Sequence, residues 1–87
     1  MKAITTKYHG PTGTRGSRIS ASDSDGNRVS VPYQHDRTRD GEHDTAALAL
    51  CSKMKWKGVL VRGSADKGNV YVFLDDSAIV HIPEATA

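Results

Sequence analysis

One segment of this sequence has the composition of a phosphate-binding loop. Residues 10–17 hold three glycines and a proline and end in serine. A P-loop requires a glycine, four residues and then Gly-Lys-Ser/Thr leading into a helix, but here Arg15 stands where the second glycine belongs and the lysine is missing. The segment therefore does not predict a nucleotide site. It leaves Arg15 and Arg18, beside flexible amides, as candidate ligands for a phosphate or carboxylate, or as solvated arginines in a loop.

The acidic turn and the histidines do not predict a metal site. Residues 23–27 resemble a calcium loop, but the glycine falls at position 4 instead of 6, and Gln34 occupies position 12, where a glutamate is required. No two histidines have the spacing that places them on one helix face, and a zinc site would need three of them from separate elements. The four histidines are His9, His35, His43 and His81. We therefore expect no metal and no cofactor.

Nucleophiles and carboxylates do not form a catalytic set. Cys51 falls on the apolar stripe of a predicted helix, where a buried thiol is an inert small hydrophobe. Asp75 and Asp76 are adjacent, so on extended backbone they point to opposite faces, and a turn is the simpler interpretation. The sequence therefore predicts a protein that is not an enzyme.

Two sets of basic and aromatic residues are candidates for binding. Lys53, Lys55 and Lys57 flank Trp56, a combination that suits phosphate contact with base stacking. The alternative is that Trp56 anchors the core and the lysines extend to solvent around it. With Arg15 and Arg18, these lysines form the nucleic-acid-binding set.

The second set lies on the polar connection before the helix. Tyr33, Arg37 and Arg39 are of the residue types that dominate protein–protein hot spots. We combine them with Trp56 as the predicted partner-binding residues.

Charge and length limit the class of protein. The net charge of the 87-residue chain is only +2, low for a dedicated nucleic-acid binder. Residues 1–39 carry seven basic side chains against three acids, whereas residues 40–87 carry five against seven, so one face could meet an anionic partner. A lone cysteine, no apolar leader and no apolar run of ~18 residues predict a cytoplasmic protein with no membrane partner.

The elements that position these residues follow from periodicity. Residues 1–32 predict three strands, and two alternating runs around Asp25-Gly26 predict a hairpin. Residues 40–57 predict a helix that Asp40 caps and Gly58 ends, with Ala47, Leu50, Cys51 and Met54 on one stripe. Residues 59–82 predict two strands and a possible final strand over 78–82.

The predicted fold is α+β: one domain, residues 1–87, with an antiparallel sheet of five or six strands in the order βββαββ and one helix on one face. We expect Trp56 where helix meets strand. If the helix covers the valine side of the last hairpin, Tyr71 and Phe73 form an aromatic strip on the open face, unless the C-terminal segment covers it. The expected core residues are Ile4, Ile19, Val29, Val31, Leu50, Met54, Val59, Val61, Val70 and Val72.

Several segments are similar to short accessory proteins of bacterial phages and mobile elements. They are residues 2–12, 15–19, 23–27, 46–51, 56–58 and 68–73, and the similarity extends over most of the chain. It transfers no catalytic residue. The group includes anti-CRISPR proteins, so the resemblance implies a protein that occupies a surface of a CRISPR effector.

The expected function is that of a non-enzymatic inhibitor or adaptor which binds a host protein complex and blocks nucleic-acid binding or nuclease recruitment. The alternative is a small protein that binds nucleic acid directly through its basic and aromatic surface residues. A homodimer formed through an open sheet edge or face is compatible with both.

Overall fold

The computed structural model describes residues 3–14, 16–34, 38–75 and 81–83. Its elements follow the predicted order βββαββ, with boundaries that move by a few residues. They are β1 (Ala3–His9), β2 (Arg18–Ser22), β3 (Arg28–Pro32), α1 (Arg39–Met54), β4 (Leu60–Ala65) and β5 (Gly68–Phe73). In the predicted final strand, residues 78–80 lie outside the described residues, and 81–82 are not in a strand.

All five strands form one antiparallel sheet in the order β3-β2-β1-β5-β4, and α1 packs on one face of it. The predicted α+β class with one helix on one face is confirmed. The predicted β2–β3 hairpin is also confirmed: Asp23 Oδ1 accepts the amides of Asp25 at 2.9 Å and Asn27 at 3.0 Å. Gly26 supplies the positive φ of 90° that the turn needs.

The helix begins and ends at other residues than the sequence predicted. Thr38, not Asp40, is the N-cap, and its hydroxyl accepts the amide of Gly41 at 3.0 Å. The helix ends at Met54 because the amide of Lys55 bonds to the carbonyl of Ser52 and that of Trp56 to the carbonyl of Cys51, which is a Schellman motif. Lys55 takes the left-handed conformation, with φ 60°. Residues 55–57 therefore lie outside the helix.

The core lies between α1 and the β1–β2 centre of the sheet. The fully buried apolar residues are Ile4, Ile19, Ala21, Ala46, Ala47 and Leu50, and partly buried neighbours include Val29, Val31, Met54 and Trp56. The prediction for the last hairpin was wrong: Val59, Val61 and Val72 are exposed, whereas Tyr71 is buried.

The register of β1 with β5 explains this error. Ile4 pairs with Tyr71, so Tyr71 shares the helix-covered face with Ile4. Because side chains alternate along a strand, Phe73 turns to the same side, and Val70 and Val72 turn to the other. The predicted open aromatic strip is therefore replaced by an aliphatic one.

One helix does not cover five strands. The backbone of helix α1 packs on β1, β2, β3 and β5, whereas β4 reaches the helix only through side chains such as Arg62, which bonds to Asp44. The helix-covered face is therefore open above β4, and the opposite face, called here the outer face, has no layer over it within the described residues. No helix of the described chain is long and apolar enough to cross a membrane.

Candidate interaction surface

An apolar strip runs along the outer face of β4 and β5. Val61 pairs with Val72 across the two strands, and a bond of 2.7 Å from the Leu74 amide to the Val59 carbonyl extends the ladder by one pair. By alternation, all four side chains lie on the outer face. Their exposed fractions run from 41 % for Val72 to 62 % for Val59. Single exposed aliphatics are ordinary in proteins, but four contiguous ones mark a candidate contact surface.

A cationic patch occupies the other half of the outer face. It consists of Lys7 and His9 on β1, Arg18 on β2 and Arg28 on β3. His9 pairs with Arg18 across the ladder, and its Nε2 lies 2.9 Å from the hydroxyl of Ser20. Ser20 is only 6 % exposed although no helix covers this face. The outer face is thus apolar at one side and positive at the other.

The pKa of His9 lies below its ordinary value. Partial burial is the first cause, and the positive charges of Arg18, Arg28 and Lys7 add to it. Both effects disfavour the imidazolium. His9 therefore keeps its neutral form where an isolated histidine would begin to gain a proton.

A groove of about 330 Å³ lies on the helix-covered face, above the open part of the sheet. Trp56 and Phe73 form one wall, with ring centroids 6.0 Å apart and planes at 83°. Leu48, which is 60 % exposed, lies on the helix side. Trp56 thus packs where the helix meets the strands, as predicted, and also lines a cavity.

The groove ends in a polar cluster. The Tyr71 hydroxyl donates to Asp44 Oδ1 at 2.5 Å, and Arg62 donates to Asp44 Oδ2 at 2.8 Å. Burial, followed by the hydrogen bond to Asp44, raises the pKa of Tyr71 far above its usual value. Tyr71 therefore keeps its proton and donates it to Asp44, and each oxygen of Asp44 has a partner on a different strand.

A second polar cluster joins β1, β5 and the start of α1. Thr6 Oγ1 lies 2.7 Å from His43 Nδ1 and accepts the Asn69 amide at 3.1 Å. Asn69 Nδ2 donates to Asp40 at 3.1 Å, and that hydrogen bond is the first cause that lowers the pKa of Asp40. His43 is only 1 % exposed, and burial lowers its pKa, with the charge of Arg39 as the second cause.

Sequence reasoning missed this second cluster, although a signal for His43 existed. His43 precedes Ala47 by four residues and so continues the Ala47–Leu50–Cys51 stripe one turn towards the N-terminus. No local pattern indicated Thr6 or Asn69.

The predicted partner-binding residues do not form one patch. Tyr33 is half-buried and packs edge-on against Tyr8, with centroids 5.4 Å apart. Arg39 lies at the start of α1, where it donates to Asn69 Oδ1 at 3.2 Å, and Trp56 lies beyond the far end, about 24 Å away at ~1.5 Å per helical residue. Arg37 lies outside the described residues. Nothing here tests binding by these residues, which stays a prediction.

The predicted nucleic-acid-binding residues are divided as well. Arg18 is on the outer face, whereas Lys55 and Lys57 are exposed beyond the helix end. Lys53 donates its Nζ to the carbonyl of Arg28 at 2.9 Å. Arg15 lies outside the described residues.

Within the described ranges, no three His, Cys, Asp or Glu side chains converge where a metal ion could bind. Cys51 is buried as predicted, and burial raises the pKa of its thiol. A thiol held in its protonated form is a poor nucleophile.

Comparison of the chain with protein-family models, with curated proteins and with solved structures finds no match.

Proposed function

We propose that this protein is a non-enzymatic inhibitor or adaptor that binds a host protein complex through the apolar strip. The strip is the observation that carries the proposal. It places Val59, Val61, Val72 and Leu74 in one row on a sheet face without a covering layer in the described chain. Burial of such a row against a partner releases ordered water and is favourable at ~25 cal/mol per Å² of apolar surface.

The chemistry of the strip suits a protein partner better than a small substrate. Valine and leucine side chains offer area and shape but no hydrogen bonds, so they cannot orient a reacting group. Protein interfaces combine such an apolar centre with a polar rim. The class of partner, a CRISPR effector whose nucleic-acid binding or nuclease recruitment is blocked, comes from the resemblance to anti-CRISPR proteins.

Phage plating tests the function in cells. Strains whose type I or type II CRISPR system targets the phage would express this protein. We expect plating to recover in at least one strain and to be lost again with the double variant Val61→Lys, Val72→Lys. Leu48→Lys makes the same kind of change at an exposed site off the outer face, and should retain inhibition. No recovery in any strain would contradict the CRISPR assignment.

Binding to the purified effector tests the surface directly. Co-elution should survive 300 mM salt, because an interface with an apolar centre is insensitive to screening. Equal thermal unfolding of the variants and the wild type controls for folding. If the strip variant inhibits as well as the wild type, the strip is not the binding surface. Sedimentation at two concentrations determines whether the strip instead joins two copies of this chain.

A further inference from the structure

The arrangement of charge on the outer face leads beyond binding of a protein partner. We infer that the cationic patch of Lys7, His9, Arg18 and Arg28 is a binding site for the phosphates of duplex nucleic acid. The inference is independent of the apolar strip, which lies at the other side of the same face.

The patch is a row of cations on three adjacent strands. Neighbouring strands lie about 4.8 Å apart, and Arg28 pairs with Ser22, four residues along β2 from Arg18, so the cations extend over roughly 10 Å across the strands and about 13 Å along them. A single carboxylate can meet only one point of such a row. A polyanion with evenly repeated charges, such as a phosphodiester backbone, can meet several of them at once.

The permanent cations of the patch, Lys7, Arg18 and Arg28, form no ion pair with another described residue. The ion pairs in which both partners are described residues all lie on the helix-covered face, between Arg39 or Arg62 and the acids Asp40 and Asp44. None of them involves Lys7, Arg18 or Arg28. Asp23, in the neighbouring turn, directs its carboxylate to that turn, accepting the side-chain amide of Asn27 at 2.8 Å.

Arg18 carries an unsatisfied donor at the patch. Its Nη1 is buried without a hydrogen-bond partner, the one such side-chain atom among the described residues. An unsatisfied guanidinium nitrogen is costly, and a turn of the Arg18 side chain towards the surface would let an anionic oxygen relieve that cost. A shallow pocket of about 310 Å³ opens beside Arg18, lined by Gly16, Ser17, Ser30, Val31 and Pro32. It has room for a phosphate group, which is several times larger than a water molecule at ~30 Å³.

The outer face favours duplex over single strands. Proteins that bind single strands combine cations with exposed aromatic rings on which bases stack. Here Tyr33, Tyr71, Trp56 and Phe73 all pack at the core on the helix-covered side. Tyr8 alternates with the outer Lys7 and His9, and its ring meets Tyr33. With no Phe, Tyr or Trp on the outer face of the described strands, only the backbone can be bound there, without sequence readout.

Fluorescence anisotropy with a labelled 20-base-pair DNA duplex at 25–200 mM salt tests the inference. With three permanent cations in the patch, the logarithm of affinity should fall against the logarithm of salt concentration with a slope of about −3. Arg18→Gln and Arg28→Gln should each weaken binding on the order of tenfold at 50 mM salt and reduce the slope by about 1. Lys57→Gln removes one positive charge at the groove and should change neither the affinity nor the salt dependence.

The same experiment compares the duplex with two other polyanions. A single strand of the same sequence should bind more weakly than the duplex, and poly-glutamate should not displace the duplex at equal charge. Histidine NMR should show the pKa of His9 rising when duplex binds. The inference is overturned if no duplex binds at 25 mM salt, if inorganic phosphate but not duplex shifts the His9 signals, if poly-glutamate competes equally, or if Lys57→Gln weakens binding as much as Arg18→Gln. Circular dichroism of each variant controls for folding.

Discussion

Thr6 in β1 and His43 in α1 are 37 residues apart along the chain, yet Thr6 Oγ1 and His43 Nδ1 lie 2.7 Å apart in the interior. The same hydroxyl accepts the amide of Asn69 in β5 at 3.1 Å. One oxygen atom therefore connects the central strand, its neighbour and the helix. Since both Thr6 and His43 are 1 % exposed, water cannot replace a lost partner at either site.

We expect Thr6→Val to destabilise the protein by about 1–3 kcal/mol, because it leaves His43 Nδ1 and the Asn69 amide buried without that partner. Valine has nearly the same volume as threonine, so packing is largely preserved. The decrease in the free energy of unfolding therefore measures the lost hydrogen bonds. Urea unfolding followed by circular dichroism measures the change.

Thr5→Val is the matched control for Thr6→Val. Thr5 directly precedes Thr6 in β1 and is exposed on the outer face, so its substitution should change the free energy of unfolding by no more than about 0.5 kcal/mol. Equal effects of the two substitutions would contradict the importance of the Thr6 hydroxyl.

Stability should decrease as the pH falls below about 6.5. Burial, with the charge of Arg39 as second cause, lowers the pKa of His43 from the ordinary 6.5. Between the two pKa values the unfolded chain binds more protons than the native protein, so acid favours unfolding. The contribution of His43 to the free energy of unfolding is fully present above pH 6.5, and it is lost as the pH falls towards the lowered pKa of the native protein. Urea unfolding between pH 7.5 and pH 5 measures the slope.

His9 contributes to the same slope, because its pKa is also lowered. His43→Gln and His9→Gln separate the two residues, and the slope, not the absolute stability, is the quantity compared. An unchanged slope in His43→Gln would show that His43 is not the group being protonated.

The sequence predicted the elements well because their signals are local. Turn chemistry at Asp25-Gly26 identified the hairpin, and the Ala47–Leu50–Cys51 stripe identified the helix and its buried face. The helix start was misassigned since Thr38 and Asp40 are both good capping residues, and only the observed hydrogen bond to Gly41 distinguishes them. Which face of β5 the helix covers could not be predicted from the sequence. In Val-Tyr-Val-Phe the valines point to one face and the aromatic residues to the other, and both are apolar. Only the pairing of Tyr71 with Ile4 shows that the aromatic residues face the helix.

The candidate surface was less predictable for the same reason. Lys7 and Arg28 are unremarkable in the sequence, and they join Arg18 only through strand pairing. The lysines around Trp56 are close together in the sequence, but the helix ends between them in the Schellman motif. Lys53 donates to the carbonyl of Arg28, whereas Lys57 lies at the groove. The cationic patch is thus formed by residues distant in sequence, whereas the lysines that are neighbours in sequence lie apart in the structure.

Gly68→Ala should destabilise the protein by roughly 3 kcal/mol or more, because the interior has no space for overpacking at this site. A Cβ at Gly68 would lie 1.8 Å from the carbonyl oxygen of Thr6, which is backbone of the central strand and cannot move aside. Gly63→Ala in the edge strand β4 is the control, since its nearest neighbour would be 4.0 Å away, an ordinary contact. Thermal unfolding should leave Gly63→Ala near the wild type; a tolerated Gly68→Ala would contradict the close β1–β5 approach.

At the alkaline end, stability should fall as the pH rises above about 10 because of Tyr71. Burial, followed by the hydrogen bond to the Asp44 carboxylate, raises the pKa of Tyr71 above the ordinary 10.0. Above that value the unfolded chain loses the phenolic proton while the native protein retains it, so alkali favours unfolding. Tyr71→Phe should reduce stability at pH 7, through the lost bond to Asp44, by about 1–3 kcal/mol and flatten the decline between pH 9 and pH 11. Tyr8→Phe, at an exposed phenol, should keep the decline. Urea unfolding across this range measures both variants, and a decline that persists undiminished in Tyr71→Phe would assign it to another group.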